Sequence, residues 1–79
     1  MMNTFERVID IFKTVFEDEI KTDGITVASN LKDDIGINSI GMLYMAMAIE
    51  EEFGIKFQNE DLTKLTTVGD VIACIEAKA

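Results

Sequence analysis

Hydrophobic residues at intervals of three and four positions predict the first helix. Asn3 is followed three residues later by Glu6, which is the spacing of a capping box, so we expect the helix to begin here. We expect it to run to about residues 17–19 and to fray there, because negative charges are unfavourable at a helix C-terminus. The apolar positions that share one face, and that we assign to the core, are Phe5, Val8, Ile9, Phe12, Val15 and Phe16.

A second helix, predicted from Ile40 to Phe53, carries two apolar stripes on opposite faces. This stretch contains no proline and one glycine, and it is long enough for about four turns. One stripe consists of Met42, Met45, Ala46, Ile49 and Phe53, and the other consists of Ile40, Leu43, Tyr44 and Met47. A surface helix normally has one such stripe, so either this helix is buried on both sides or its second stripe is a docking surface. The second stripe ends among Glu50, Glu51 and Glu52, and this combination suits transient partners with basic surfaces.

Residues 20–38 form a long connection between these two helices. Asp23-Gly24 is a turn signal. We expect Ile25, Val27 and Leu31 to fix the connection to the bundle. Of the apolar residues in this stretch, we expect Leu31 and Ile35 to pack into the core. A long crossover of this kind can bring the second helix against the first.

Two further helices complete the predicted fold. Asn59 is a suitable cap for a short helix from Glu60 to about Lys64, which Leu62 and Leu65 would fasten to the core. Thr67 with Asp70 forms a capping box at the start of the last helix. The apolar stripe of that helix consists of Val68, Val71, Ile72 and Ile75. The sequence therefore predicts an all-α, four-helix bundle with three main helices, one short helix and a long loop between helices one and two.

Composition narrows the possible partners. The chain has 79 residues, so we expect residues 1–79 to form a single domain. Its formal net charge of −8 argues against nucleic acid and anionic membrane surfaces, and favours proteins with positive patches. Neither a secretory leader nor an apolar run of membrane-spanning length is present, and the one cysteine, Cys74, forms no internal disulfide, so we expect a cytoplasmic monomer.

The residue types present do not provide a catalytic constellation. Histidine is absent, which removes the usual general base, so Ser39 has no sequence signal for activation as a nucleophile. Cys74 has no His or Cys partner for catalysis or metal binding, and we interpret it as a packing residue. The acidic pairs lack the ligand spacing of a calcium-binding loop. We therefore predict a protein that is not an enzyme in itself and has no metal site.

The junction before the second helix carries the most specific pattern in the chain. Gly36 suits a tight approach to the helix, and Asn38 and Ser39 are both good N-cap residues. The run Gly36-Ile37-Asn38-Ser39-Ile40, then Ala46 to Ile55 with its Glu-Glu-Glu-Phe, and the later Leu65-Thr66-Thr67-Val68 resemble the acyl carrier protein family at that family's spacing. The resemblance covers nearly the whole chain and is strongest over residues 31–76.

This resemblance implies a prosthetic group and a set of partners. Ser39 matches the serine that carries 4′-phosphopantetheine through a phosphodiester, installed from coenzyme A by a phosphopantetheinyl transferase. The thiol of that arm holds acyl groups as thioesters and presents them to acyl-transferring and chain-modifying enzymes with basic docking patches. The positions that match the family's partner surface are Asn38, Ile40, Leu43, Met47, Glu50 and Glu51.

The family's acyl chain folds back between the helices, and methionine adapts to variable shapes. Met42, Met45, Ala46 and Met47 would suit that role, although the same residues would equally fill an ordinary core.

Three departures from the family pattern point to a specialised carrier. Asn38 stands where an aspartate usually precedes the serine, Tyr44 occupies an often acidic position, and Gly41 stands where polar residues are common. We therefore expect a carrier for fatty-acid, lipid or polyketide-type synthesis that differs from a housekeeping one. The alternatives are a carrier of aminoacyl or peptidyl groups, and an unmodified helical adaptor that keeps the fold without the prosthetic group.

Overall fold

The first helix packs one apolar face onto the rest of the bundle. In this computed structural model the structure describes residues 2–17, 20 and 22–79. Helix α1 spans Thr4–Phe16 and begins where predicted, since the Asn3 side chain accepts a hydrogen bond from the Glu6 N–H at 2.8 Å. The reciprocal hydrogen bond of a capping box, from the Asn3 N–H to the Glu6 side chain, is not found among the described residues. The buried residues of α1 are Val8, Phe12 and Phe16. The fraying predicted at the C-terminus falls on positions 18 and 19, which lie outside the described residues.

The long connection contains a short π-helical segment, Leu31–Ile35, that the sequence analysis did not predict. The Asn30 side chain caps it by accepting from the N–H groups of Lys32 and Asp33 at 2.9 and 2.8 Å. Gly36 ends it in the left-handed region at φ 93°, a conformation that glycine takes without steric cost. Leu31 and Ile35 are buried, as predicted.

Backbone hydrogen bonds attach this connection to the start of the last helix. The Leu31 N–H donates to the Thr66 carbonyl at 2.9 Å, the Val68 N–H to Ser29 at 3.1 Å, and the Gly69 N–H to Val27 at 2.8 Å. The prediction that the Val27 side chain fixes the loop is wrong: it is 56% exposed, and Val27 is held through its carbonyl instead.

Helix α2 spans Ser39–Phe53 and therefore begins one residue earlier than predicted. Gly54 ends it with φ 67°, as expected of a glycine just beyond a helix. At the surface, α2 contacts α1 through an ion pair in which the Arg7 guanidinium lies 2.9 Å from the Glu52 carboxylate. The same guanidinium sits over the Phe53 ring at 4.1 Å from its centroid.

The last two helices are α3, Asn59–Thr63, and α4, Val68–Lys78. The prediction that Asn59 caps α3 is wrong, because the helix begins one residue earlier and Gln58 occupies the cap position. The Asp61 carboxylate accepts from the Gln58 N–H at 2.7 Å. At α4, the predicted capping box of Thr67 and Asp70 is confirmed.

The predicted all-helical fold, with three main helices and a short one, is confirmed. Its core is aliphatic apart from two methionines and two phenylalanines, and the rings of Phe12 and Phe16 meet edge to face. The buried hydrophobic side chains are Val8, Phe12, Phe16, Leu31, Ile35, Ile37, Met42, Met45, Ala46, Ile49, Ile55, Leu65, Val68, Val71 and Ile75. Within the described ranges, no helix combines the length and the apolar character needed to cross a bilayer.

Candidate functional site

Ser39 is the first residue of α2, and its side chain is exposed. The sequence left both Asn38 and Ser39 as candidate caps, and the structure selects Asn38, whose side-chain oxygen accepts from the Gly41 N–H at 2.7 Å. The Ser39 hydroxyl takes part in none of the hydrogen bonds found among the described residues. The serine is therefore held by the helix backbone while its hydroxyl faces solvent.

The electrostatic surroundings of Ser39 favour a phosphate ester. The first amides of a helix have no carbonyl partner in a preceding turn, and the aligned peptide dipoles place partial positive charge there. The first turn of α2 contains no acidic residue that would oppose an attached anion. A phosphodiester on the Ser39 oxygen would lie beside these amides, which is a common anion-binding arrangement.

A groove of about 460 Å³ opens beside Ser39. It lies where the π-helical segment, the beginning of α2 and the region from α3 to α4 meet, and its lining is part polar and part apolar. The lining residues are Asn30, Lys32, Asp33, Ser39, Met42, Leu43, Leu62, Thr63, Leu65 and Thr66. A flexible arm with amide and hydroxyl groups fits such a lining, because the lining combines hydrogen-bonding and apolar side chains.

The two stripes of α2 have different environments. Met42, Met45, Ala46 and Ile49 are buried, with 0–8% of their surface exposed. Ile40, Leu43, Tyr44 and Met47 are 64%, 55%, 59% and 63% exposed, so the alternative in which α2 is buried on both sides is wrong. We call these four residues the outer face of α2. Met47 belongs to this face, so the suggestion that it lines a space between the helices is also wrong.

Two of the three consecutive glutamates are engaged inside the molecule. The Glu50 carboxylate is half-buried and accepts from the Phe57 N–H at 2.7 Å, which fixes the chain after α2. Glu52 forms the ion pair with Arg7. Glu51 is exposed and forms no ion pair among the described residues. Of the two acidic positions predicted to meet partners, Glu51 is therefore the one whose carboxylate is fully available.

The close packing at Gly41 was not predicted by the sequence analysis, which noted this residue only as a departure from the family pattern. Gly41 is buried in the first turn of α2, where an added Cβ would lie 3.0 Å from Ile37 Cγ2 and 3.1 Å from Phe16 Cε1. Because glycine has no Cβ, the end of α1 and the residue before the Asn38 cap can approach the first turn of α2 closely, two residues after Ser39. The sequence did contain a signal for this packing, namely a glycine inside a helical pattern. Glycine lowers helix stability, so its presence there indicates that close packing leaves no room for a side chain.

The surroundings of Cys74 agree with its interpretation as a packing residue. It is half-buried against the core in α4. Burial, followed by the nearby Asp61 carboxylate, raises the pKa of the Cys74 thiol above its ordinary value. The thiol is therefore neutral near pH 7 and is a weak nucleophile.

Comparison with known proteins gives one consistent result. Residues 6–75 match the family described as "Phosphopantetheine attachment site". Acyl carrier protein of Thermotoga maritima is 33% identical over 79 residues, covering 98% of both chains. Acyl carrier protein of Rhodococcus erythropolis is 35% identical over 78 residues, covering 96% of this chain and 86% of that protein. Acyl carrier protein of Exiguobacterium is 46% identical over 54 residues, covering 68% of each chain.

Proposed function

This chain belongs to the acyl carrier protein family, which consists of non-catalytic carriers with a phosphopantetheine attachment site, and from that membership we propose that Ser39 is the attachment residue. The prosthetic group that the family implies is 4′-phosphopantetheine. The observation that carries the proposal is the placement of an exposed serine as the first residue of α2, beside a groove and without an acidic residue in the first helical turn.

Each part of the site has a distinct task in this proposal. The α2 amides stabilise the negative charge of the phosphodiester on Ser39. Asn38 holds the first turn by capping Gly41, so the serine keeps one orientation relative to the helix axis. When attached, the group supplies a terminal thiol that holds acyl chains as thioesters. The groove beside Ser39 can bind the arm while the carrier is not in complex with an enzyme.

We propose acyl groups as the cargo, in fatty-acid, lipid or polyketide-type synthesis, with the protein working as a cytoplasmic monomer. The names of the similar proteins support acyl rather than aminoacyl cargo. The uncharged beginning of α2, with Asn38 in the cap, supports a specialised carrier over a housekeeping one. Its partners in this proposal are a phosphopantetheinyl transferase and enzymes that load and modify the acyl chain.

The attachment residue is tested by intact mass. The protein is incubated with coenzyme A and a promiscuous phosphopantetheinyl transferase, alongside Ser39→Ala. We expect a gain of one phosphopantetheinyl mass in the natural sequence and no gain in Ser39→Ala. If Ser39→Ala also gains this mass, Ser39 is not the attachment residue. If the natural sequence gains no mass with several transferases, the unmodified adaptor is favoured.

A second variant tests the role of Asn38. Asn38→Asp keeps a good cap and adds one negative charge next to Ser39. If the cap charge is what a general transferase recognises, Asn38→Asp is modified faster than the natural sequence. An equal rate for the two proteins would show that Asn38 does not limit modification.

A further inference from the structure

A second groove, of about 770 Å³, runs between α1 and α2. The beginning of α1 meets the end of α2 through the Arg7–Glu52 ion pair, and the end of α1 meets the beginning of α2 where Phe16 lies against Gly41. The two helices are therefore antiparallel. On α1 the lining of the groove extends from Arg7 to Val15, which is about 12 Å or two helical turns.

This α1–α2 groove combines an apolar floor with carboxylates. Ile11 and Val15 of α1 and Ala48 of α2 line it and are only half-buried, so part of their apolar surface stays in contact with solvent. Asp10 and Glu51 also line the groove, are exposed, and form no ion pair among the described residues. The groove thus offers both apolar area and negative charge to another molecule.

Among the described residues that line the groove, the one cation is Arg7, and it is already engaged. Its guanidinium pairs with the Glu52 carboxylate at 2.9 Å and covers the Phe53 ring at 4.1 Å from the centroid. Against this one positive charge stand three negative charges in the lining, from Asp10, Glu51 and Glu52. A cationic side chain that enters the groove therefore meets a complementary potential, while an apolar neighbour can cover the floor.

The α1–α2 groove and Ser39 lie on different sides of α2. Ala48 lies about two and a half turns, or about 14 Å along the axis, after Ser39, so the two side chains project from opposite sides of the helix. The groove beside Ser39 is lined from α2 by Met42 and Leu43, and the two grooves share no lining residue. A molecule bound between α1 and α2 would therefore leave Ser39 uncovered.

We propose that the α1–α2 groove is a docking site for a basic amphipathic helix of a partner protein, separate from Ser39. A helix suits a groove between two antiparallel helices, because apolar residues spaced three and four apart would lie along the floor. Lysine or arginine residues beside that apolar stripe would reach Asp10 and Glu51. A second copy of this chain is a poorer occupant, because each copy has a net charge of −8. Docking in the groove holds the carrier next to its partner while Ser39 stays accessible.

The probe for this site is a blocked, alanine-based peptide of roughly 18 residues, long enough to form a helix, with a stripe of leucines and a pair of arginines beside it. Titration of the full chain by two-dimensional amide NMR gives the dissociation constant and the amides that shift. We expect the largest shifts at Asp10, Ile11 and Ala48 and no significant shift from 38 to 43. Replacing the arginines of the peptide by glutamine should weaken binding at least about threefold at low salt.

A charge reversal on each side tests the contact itself. Asp10→Lys should weaken binding of the arginine peptide at least about threefold, and it should bind a peptide with glutamates in place of the arginines better than the natural sequence does. Glu76→Lys makes the same change of charge at an exposed position of α4 and is the matched control. For that control we expect no more than about a 1.5-fold change, because the position is remote from the groove.

The proposal is overturned if the arginine peptide shows no saturable binding up to about 1 mM, or if the largest shifts lie on the outer face of α2 or at residues 38–43. It is also overturned if Asp10→Lys and Glu76→Lys weaken binding equally, or if sedimentation shows a dimer of the chain alone that Asp10→Lys dissociates. Circular dichroism of each variant establishes that the helices are retained. The proposal does not depend on the attachment at Ser39, which the intact-mass experiment tests separately.

Discussion

The carboxylate of Asp70 stabilises the beginning of α4 through hydrogen bonds to the backbone. It accepts from the N–H groups of Thr66 and Thr67, each at 3.0 Å, and the Asp70 N–H donates to the Thr67 hydroxyl at 3.2 Å. The backbone N–H of Thr67, and then that of Thr66, hold the pKa of the Asp70 carboxyl below its ordinary value of 3.8. A negative charge in the first turn of a helix is also favourable.

This lowered pKa predicts the direction of a pH effect on stability. Well above 3.8 the carboxyl is ionised in both the folded and the unfolded chain, so its contribution is fully present. As the pH falls from there towards the lower folded pKa, the unfolded chain takes up a proton first and the contribution is lost. We expect Asp70→Asn to be less stable than the parent at pH 7 and to lose less stability on acidification, as measured by urea unfolding.

The matched control for this prediction is Asp23→Asn, which removes a carboxylate from the exposed turn in the long connection. Its acid sensitivity should follow that of the parent. If Asp70→Asn and the parent lose equal stability between pH 7 and pH 2.5, the hydrogen bonds at Asp70 do not contribute to acid sensitivity.

At the scale of a helix, α2 contains a glycine, Gly41, at a position where helix propensity alone would favour alanine. Alanine at an open helical position is favoured over glycine by about 1 kcal/mol. At Gly41, however, the new Cβ would lie 3.1 Å from Phe16 and 3.0 Å from Ile37, so these buried side chains, 7% and 2% exposed, would have to move by a few tenths of an ångström. We expect Gly41→Ala to destabilise the protein by about 1–2 kcal/mol, as overpacking does in well-filled cores.

The measurement for Gly41→Ala is the free energy of unfolding, combined with the rate of Ser39 modification. We expect both to decrease, because relief of the overlap shifts the start of α2 away from α1. A gain of about 1 kcal/mol in stability would mean that the site behaves as an open helical position and that the close approach is unimportant.

The helices were predictable because their signals are local. Capping residues and apolar periodicity gave the beginnings of α1 and α4, and the motif around Ser39 predicted the candidate site. The π-helical segment was missed because Leu31 and Ile35 read as isolated apolar residues in a loop, and its cap, Asn30, has no periodic stretch after it. The hydrogen bond between the Glu50 carboxylate and the Phe57 N–H could not be predicted from the sequence either, since it depends on where the backbone of Phe57 lies.

The charge of the whole molecule sets its response to salt. A net charge of −8 on a chain of 79 residues gives repulsion in the folded state that short-range contacts must overcome. The described residues contain two ion pairs, Arg7–Glu52 and Lys78–Asp61, and both lie at least partly in solvent. Such pairs contribute little, so screening of repulsion should outweigh their loss.

We therefore expect the melting temperature to rise by several degrees when salt is increased from about 0.01 to 0.3 M, where the screening length shrinks severalfold. Thermal unfolding followed by circular dichroism measures this directly. Ala73→Glu, with one more negative charge, should show a larger increase than the parent. A melting temperature that falls with salt would mean that the two ion pairs dominate over the net repulsion.

The long connection is not a free loop, because residues 27–31 are hydrogen-bonded to residues 66–69. The three backbone bonds through Leu31, Val68 and Gly69 divide a long loop into two shorter ones, each with less freedom to lose on folding. They also join the approach to Ser39 with the entry to α4 in a single cooperative unit. Amide protons at these three positions should therefore be protected from exchange with solvent as strongly as those inside the helices, although they lie outside or at the very ends of helical segments.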